Sequence, residues 1–293
     1  GIYALSSLTV PLLSLALAPF LTHALSSSDY GILILLNTLI ALITGLTQLG
    51  MGSAFFRAYN YDYTGRNERD SVVVTTTFLL FLVSLFIMIS AIMIAHFLAH
   101  RLVGHTLLSR LIVIAGGIIC VQNLAVPGFA WLRAENRALF YSVLSISNIL
   151  TALLANIVLV GVLHQGIEGA LIATGTGYIW VVTCTVVVNT LRSGSKIRRD
   201  IARNLLGFGL PLVPSVVSYW ILQLSDRYLL SVLGSLTETA KYTIAYTLGT
   251  AINIAVISPF TLAWPTTMFS IARNKDAPRT FQIAFRWFSL FLL

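Results

Sequence analysis

The sequence contains very little charge and almost no cysteine. Only 10% of its 293 residues are Asp, Glu, Lys or Arg and 57% are hydrophobic, whereas ordinary soluble domains are roughly 25% charged. The two cysteines, Cys120 and Cys184, fall in different apolar runs without CxxC spacing, and we interpret them as packing residues. Because the apolar runs follow one another with short gaps, no stretch remains for a soluble domain. The composition predicts a multi-span membrane protein.

Motifs for catalysis and for metal binding are also missing. The sequence has no HExxH, no GxSxG and no GxxxxGK, and no loop is long enough for a nucleotide-sugar transferase domain. All five histidines map to the predicted outer side, where His96 and His100, at i and i+4, could supply two metal ligands. Polar helix ends explain these histidines without a metal. We therefore predict no enzyme activity, no cofactor and no metal site.

Apolar runs of about 20 residues, the length that crosses a bilayer as a helix, divide the chain into spans. Eight are complete and a ninth begins: Ile2 to Leu25, Gly31 to Phe56, Val72 to Ala99, Leu111 to Trp131, Leu139 to Leu163, Gly169 to Leu191, Asn204 to Leu233, Ala240 to Phe260, and Thr280 onward. The first run lacks the basic leader and cleavage site of a signal peptide, so we expect it to remain as a helix. The pattern predicts an all-α, polytopic transmembrane helix bundle.

Lys and Arg in short loops indicate the orientation, because they stay on the cytoplasmic side. With the N-terminus inside, the inner loops hold thirteen of the eighteen: Arg57, Arg66, Arg69, Arg133, Arg137, Arg192, Lys196, Arg198, Arg199, Arg203, Arg273, Lys275 and Arg279. The outer loops hold only Arg101, Arg110 and Lys241, so we predict a cytoplasmic N-terminus. Basic loops facing an anionic leaflet account for the net charge of +8, and we predict no nucleic-acid partner.

The seventh run contains an acid and a base inside apolar sequence, in "LQLSDRYLLSVLG". On a helical wheel Asp226 lies in a polar stripe with Ser215, Ser218, Tyr219 and Gln223, and Arg227 lies at its edge. Ionised groups inside a span are rare unless they line water, a partner or a substrate path. Asp226 is also only about 12 Å from the helix end at Gly234, so snorkelling to the outer interface is the alternative.

Three stretches resemble successive parts of the bacterial polysaccharide flippases. They are "LSSSDYGILILLNTLIALITGLTQLGMGSAFFR", "LRAENRALFYSVLSISNILTALLANIVLVGVLHQGIEGALIATGTG" and "FGLPLVPSVVSYWILQLSDRYLLSVLGSLTETAKYTIAYTLGT". That family belongs to the multidrug and oligosaccharidyl-lipid exporter superfamily. The resemblance implies an inner-membrane protein with two six-helix bundles around a central cavity. It also implies that undecaprenyl-pyrophosphate-linked sugars are moved from the inner to the outer leaflet by alternating access.

A faint repeat agrees with two bundles, because "LSSSDYGILILLNTL" and "LGSLTETAKYTIAYTL" lie six helices apart and each begins a span with a polar turn and a Tyr. We predict a first bundle over 1–191, a basic cytoplasmic linker over 192–203, and a second, truncated bundle over 204–293. The candidate cavity-lining residues are Arg57, Arg133, Tyr219, Gln223, Asp226 and Arg227. Arg57 and Arg133, at the inner mouths, suit an anionic pyrophosphate.

Two other functions compete with the flippase hypothesis. An ion-coupled multidrug antiporter on the same fold would need membrane-buried acids in the first bundle, where Asp29, Glu135 and Glu168 all lie at helix ends. An intramembrane polymerase or acyltransferase would need a large outer loop, and the largest, near His100 to Ser109, is short. The composition predicts the lipid bilayer as a partner, and the resemblance implies a lipid-linked oligosaccharide. Whether H+ or Na+ couples transport is left open.

Overall fold

The protein is described by a computed structural model over residues 19–21, 23–101, 106–187, 196–219, 221–222, 264, 268, 271–272 and 276–292. All regular structure in these ranges is helical, and none of the residues described there forms a strand. The predicted all-α class and the polytopic helix bundle are confirmed.

Eight α-helices have defined bounds, and three of them end in a short π-helical turn. They are α1 Ser27–Thr47, α2 Met51–Arg57 with the π turn Ala58–Asp62, α3 Arg66–Arg101, α4 Thr106–Ala134, α5 Ala138–Asn156 with Ile157–Val162, α6 Gly166–Val182 with Thr183–Val187, α7 Arg199–Gly209, and α8 Ala277–Leu292. The 3₁₀ turn Leu210–Leu212 follows α7. This turn contains Pro211, whose ring disfavours continuation of a regular α-helix.

Within the described ranges, six helical segments are long and apolar enough to cross a membrane. They are Asp29–Asp62, Arg66–Phe97, Leu108–Ala134, Ala138–Val162, Gly166–Val186 and Arg199–Tyr219. These segments correspond to predicted spans two to seven, and α8 corresponds to the start of the ninth. The predicted eighth span, and all but the last turns of the first, lie outside the described residues, so the total of eight complete spans stays a prediction.

Small residues allow the helices to approach closely. A Cβ on Gly116 of α4 would lie 2.7 Å from the Cβ of Ala91 on α3, and a Cβ on Gly128 would collide with Thr185. Gly177, in the stretch "GALIATGTG", packs against Asn148 of α5 in the same way. The contact with α5 is the close helix packing that small residues allow in membranes.

Polar side chains inside the spans make hydrogen bonds between helices. Thr44 Oγ1 of α1 donates to Gln122 Oε1 of α4 over 2.7 Å, and Asn123 Nδ2 donates to Thr47 Oγ1 over 3.1 Å. Asn123 is fully buried. Because the lipid of a bilayer core offers no hydrogen-bond partner to a polar side chain, such pairs between helices fix the register of the two helices. Gln122 and Asn123 thus join α4 to α1.

The start of the seventh span packs against α2 and α3, and it crosses the backbone between α1 and α2 closely. Leu49 and Gly50, between α1 and α2, are both in the left-handed region, with φ of 51° and 65°. A Cβ on Gly50 would lie 2.5 Å from the carbonyl oxygen of Gly209 in α7. Ile201 and Leu205 of α7 are buried in the same cluster, which also contains residues of α2 and α3. The contact therefore requires glycine on both sides.

Alanine at Gly209 should destabilise the protein, because its Cβ would collide with the carbonyl oxygen of Leu49. We expect a loss of about 1–3 kcal/mol, the usual cost of overpacking, measured as a lower thermal unfolding midpoint in detergent. Gly207→Ala is the matched control: it lies in the same helix, and a Cβ there meets nothing within 4 Å. The control should be neutral or slightly stabilising. Equal midpoints for both variants would contradict the close crossing.

Candidate functional site

The basic loops predicted to be cytoplasmic come together at one end of the bundle. The Tyr59 hydroxyl, in the π turn after α2, donates to Glu135 Oε1 after α4 over 2.5 Å. The backbone N–H of Arg198, before α7, donates to Thr75 Oγ1 of α3 over 3.2 Å. Among the described residues, these contacts join the parts of the chain that contain Arg57, Arg66 and Arg69, Arg133 and Arg137, and Arg198 to Arg203. We call this end, formed by residues 57–70, 131–137 and 198–203, the basic end.

Arg57 lies at the basic end as expected, but its positive charge is paired with a carboxylate there. Its Nε lies 3.5 Å from Asp62 Oδ2, and its guanidinium carbon lies 4.7 Å from the centre of the Phe208 ring in α7. Asp62 also accepts a hydrogen bond of 3.1 Å from Asn204 Nδ2 of α7. Arg57 therefore joins α2 to the seventh span, and it does not line the cavity described below.

Arg133, at the end of α4, is held between aromatic rings. Its guanidinium carbon lies 4.7 Å from the centre of the Phe56 ring and 5.8 Å from that of Tyr141. Both distances are within the range of cation–π attraction. Arg133 thus lies at the basic end together with Arg57, but it too is outside the wall of the cavity.

A polar cavity of about 400 Å³ opens between these loops, and we call it the basic-end cavity. Its lining consists of Tyr59, Thr64, Arg66, Arg69, Asp70, Trp131, Glu135 and Arg137. The residues come from the π turn after α2, the start of α3, the end of α4 and the turn before α5. Three arginines and two carboxylates therefore meet around one space.

The three cavity arginines make no ion pair with a carboxylate of the described residues. One of the two acids, Glu135, accepts the hydrogen bond from Tyr59. Arg69 lies over the Tyr59 ring at 5.2 Å, and its buried Nε has no hydrogen-bond partner among the described atoms. Guanidinium groups bind phosphate oxygens through several donors at once. The cavity, with more guanidinium groups than carboxylates, is therefore suited to a phosphate-containing anion.

Arg198 shows the contrasting arrangement at the same end. Its side chain pairs with Asp200 and lies 3.7 Å from Glu68. The hydrogen bond with Asp200 raises the pKa of Arg198 above its ordinary value. Since its charge is already compensated, Arg198 fastens the segment before α7 to α3 and adds nothing to the anion-binding capacity of the cavity.

Of the remaining predicted site residues, only Tyr219 is described, and it does not line this cavity. Tyr219 is 57% exposed and lies roughly 16 Å beyond Phe208, counting 1.5 Å per residue along the helix. Ser215 and Ser218, its partners in the predicted polar stripe, are also exposed. Gln223, Asp226 and Arg227 lie outside the described residues. The role assigned to these three residues stays a prediction.

Sequence reasoning used Arg66, Arg69 and Arg137 only to orient the chain. The three arginines were not included among the predicted site residues, although loops on the same side of the membrane all lie at the same end of the bundle. Tyr59 and Glu135 were missed because their pairing joins positions 76 residues apart, which no local pattern reveals. The only indication of this pair in the sequence was the position of Glu135 between Arg133 and Arg137.

Carboxylates in the described ranges all lie at or near the ends of spans. They are Asp29, Asp62, Glu68, Asp70, Glu135, Glu168, Asp200 and Asp276. Within those ranges no group of three or more His, Cys, Asp or Glu side chains could hold a metal ion. The described parts of the spans therefore contain no buried acid of the kind that an ion-coupled antiporter would use.

Comparison with known proteins gives a family and a fold. A family model described as "Polysaccharide biosynthesis protein" matches residues 1–271. No curated protein sequence is significantly similar to the chain. The structure is similar to an outward-facing multidrug resistance MATE family transporter of the MOP superfamily, with a TM-score of 0.73, 16% identity, and coverage of 94% of this chain and 65% of the transporter.

Two further solved structures agree with this fold. A MATE protein in complex with MaD3S has a TM-score of 0.73 and 17% identity over 94% of this chain and 66% of its own. A MOP superfamily transporter from Pyrococcus furiosus, described as having a binding pocket whose reverse polarity suggests a different function, has a TM-score of 0.73 and 16% identity over 94% of this chain and 65% of its own. The chain thus spans about two thirds of the length of these transporters.

Proposed function

Because the chain belongs to the polysaccharide biosynthesis protein family, we propose that it is a flippase for undecaprenyl-pyrophosphate-linked oligosaccharide in surface polysaccharide synthesis, including lipopolysaccharide. It is a multi-pass helical membrane protein with the fold of MOP superfamily transporters. The proposed site of action is the bacterial inner membrane, with the N-terminus in the cytoplasm and the lipid-linked sugar moved from the inner to the outer leaflet.

The basic-end cavity is the observation that carries this proposal. A pyrophosphate presents several oxygens and more than one negative charge. Arg66, Arg69 and Arg137 surround a space of about 400 Å³, and none of them is paired with a carboxylate of the described residues. Charge-assisted hydrogen bonds are stronger in a partly desolvated site than in water. The cavity therefore provides an initial binding site for the pyrophosphate on the leaflet where the substrate is made.

An ion-coupled multidrug antiporter is the second candidate, because the same fold occurs in the MATE transporters. Such an antiporter is expected to have a carboxylate deep in the membrane that binds a proton, a sodium ion or a cationic drug. The acids of the described spans lie at their ends, and the cavity has more arginines than acids. These features favour an anionic substrate. The coupling ion, H+ or Na+, is left open.

The division into a bundle over 1–191, a linker over 192–203 and a partial bundle over 204–293 remains part of the proposal. So does the role of Gln223, Asp226 and Arg227 as a second contact for the pyrophosphate further along the path. Tyr219, exposed on the same span, is proposed to face that path as well. In this scheme the substrate passes from the basic-end cavity to the polar stripe of the seventh span.

Reconstitution tests the proposed substrate directly. Protein from the intact native gene is placed in liposomes that contain a fluorescent polyprenyl-pyrophosphate oligosaccharide, and a membrane-impermeant glycosidase reports its transfer between leaflets. We expect faster transfer than in protein-free liposomes or in liposomes with Arg69→Glu protein. Transfer at the protein-free rate, together with gradient-driven uptake of a cationic dye, would favour the antiporter instead.

The proposed orientation makes a separate prediction. Asn67, near the start of α3, and Gln165, before α6, are both exposed and lie at opposite ends of the bundle. In a background with Cys120→Ser and Cys184→Ser, Gln165→Cys should react with a membrane-impermeant maleimide in intact cells. Asn67→Cys should react only after the inner membrane is permeabilised. The reverse pattern would place the basic end outside and contradict the cytoplasmic N-terminus.

A further inference from the structure

An apolar groove adjoins the basic-end cavity on the side of the bundle. It has a volume of about 420 Å³ and lies between the end of α4, the start of α5 and the end of α6. Phe140, Val143 and Trp180 form much of its wall. Trp131 and Arg137 line both the groove and the basic-end cavity. The two spaces therefore meet at this pair.

The wall of the groove is exposed on the surface of the described part of the protein. The side chains of Phe140, Val143 and Trp180 are 63%, 58% and 46% exposed. All three residues lie in segments long and apolar enough to cross a membrane. The Trp180 Nε1 donates to Ser147 Oγ over 3.0 Å, so the indole N–H is satisfied within the protein. A wall with apolar side chains and an internally bonded indole suits a hydrocarbon chain.

The boundary between groove and cavity is a cation–π pair. The Arg137 guanidinium carbon lies 5.2 Å from the centre of the Trp131 ring. Beyond it, on the cavity side, are Arg66 and Arg69, which like Arg137 have no carboxylate partner in the described residues. A single molecule with an anionic head and a hydrocarbon chain can therefore place its head among the arginines while its chain leaves through the groove.

We propose that the groove between α4, α5 and α6 is a lateral docking site for a polyprenyl diphosphate, with the diphosphate in the basic-end cavity and the first part of the prenyl chain in the groove. This proposal rests on the proposed function, whose substrate has that chemistry. Although Asp70 and Glu135 also line the cavity, the three guanidinium groups offer more hydrogen-bond donors than the phosphodiester of a phospholipid can accept, and a diphosphate has additional phosphate oxygens to accept them. Basic pockets between membrane helices are known to bind anionic lipid heads.

The native Cys184 provides a probe, because it is exposed and lines the groove. In purified full-length Cys120→Ser protein in detergent, the rate at which a maleimide labels Cys184 is measured with and without undecaprenyl diphosphate. Labelling should slow about 10-fold when the lipid is present at about ten times its Kd, since protection follows occupancy. Inorganic diphosphate, which has no chain, should leave the rate unchanged.

Two variants test whether head and chain belong to one ligand. Arg66→Ala changes the cavity but not the groove wall, and it should weaken the protection of Cys184 by undecaprenyl diphosphate. Arg110→Ala, an exposed arginine near the other end of the bundle, is the matched control and should leave protection intact. Equal protection by phosphatidylglycerol, or none by undecaprenyl diphosphate, would overturn the proposal.

The proposed function and the docking site can fail separately. Transfer of lipid-linked sugar in liposomes without protection of Cys184 would overturn the groove and leave the flippase function standing. Protection of Cys184 by undecaprenyl diphosphate that depends on Arg66, without any transfer, would support the docking site and overturn the transport function.

Discussion

Charge reversal at Arg69 is expected to reduce surface polysaccharide about 10-fold or more, which corresponds to the loss of one or two charge-assisted hydrogen bonds to phosphate. Arg69 lines the basic-end cavity, and its buried Nε has no partner among the described atoms. A glutamate there would repel the pyrophosphate and stand close to Asp70 and Glu135. Surface glycan is measured in cells that carry the variant in the intact gene, together with the amount of protein in the membrane.

Arg110→Glu is the control for this reversal, because it makes the same change of charge on the same fold. Arg110 is exposed near the start of α4, at the end of the bundle away from the cavity. It should retain near-normal glycan. Arg69→Lys keeps the charge but loses the planar fork of donors, so an intermediate level is expected. Normal glycan with Arg69→Glu at normal protein levels would show that the cavity does not bind the substrate.

The membrane spans could be predicted from the sequence because their cause is local. A helix must satisfy its own backbone in lipid, so apolar length alone determines which segments span. The segments Arg66–Phe97 and Leu108–Ala134 overlap predicted spans three and four with shifts of only a few residues at most of their ends. The largest shift is at the start of α3, which extends to Arg66 through charged residues that sequence reasoning assigned to the loop.

The candidate site could be predicted only in outline. The arginine count in the loops predicted which end of the molecule carries the basic residues. Arg57 and Arg133 lie at that end but outside the wall of the basic-end cavity, and their role in lining a transport cavity stays a prediction. Arg57 is paired with Asp62, five residues away across the π turn Ala58–Asp62. A π turn inserts a residue into the helical repeat, and it therefore changes the directions in which Tyr59 and Asp62 point. A helical wheel drawn on 3.6 residues per turn cannot show this change.

Charge reversal at Arg227 is the second large effect that we predict. Asp226 and Arg227 lie outside the described residues, so the prediction rests on their position within the seventh apolar run and on the cost of ionised groups there. If Arg227 contacts the pyrophosphate in transit, Arg227→Ala should reduce surface glycan. Arg227→Glu should reduce it more, by about 10-fold or more, because the loss of one or two charge-assisted hydrogen bonds has an effect of this size. The measurement is again surface glycan at matched membrane protein.

Substitutions of Asp226 distinguish positioning from ion coupling. If Asp226 holds Arg227 or a neighbouring base by hydrogen bonding, Asp226→Asn keeps an acceptor and should reduce export less than Asp226→Ala. If the carboxylate itself carries a coupling proton or sodium ion, both variants lose the charge and should be impaired to a similar degree. Normal export by the Arg227 and Asp226 variants at normal protein levels would leave snorkelling to the outer interface as the explanation of the pair. The substrate path would then have to be sought from the basic-end cavity along other helices.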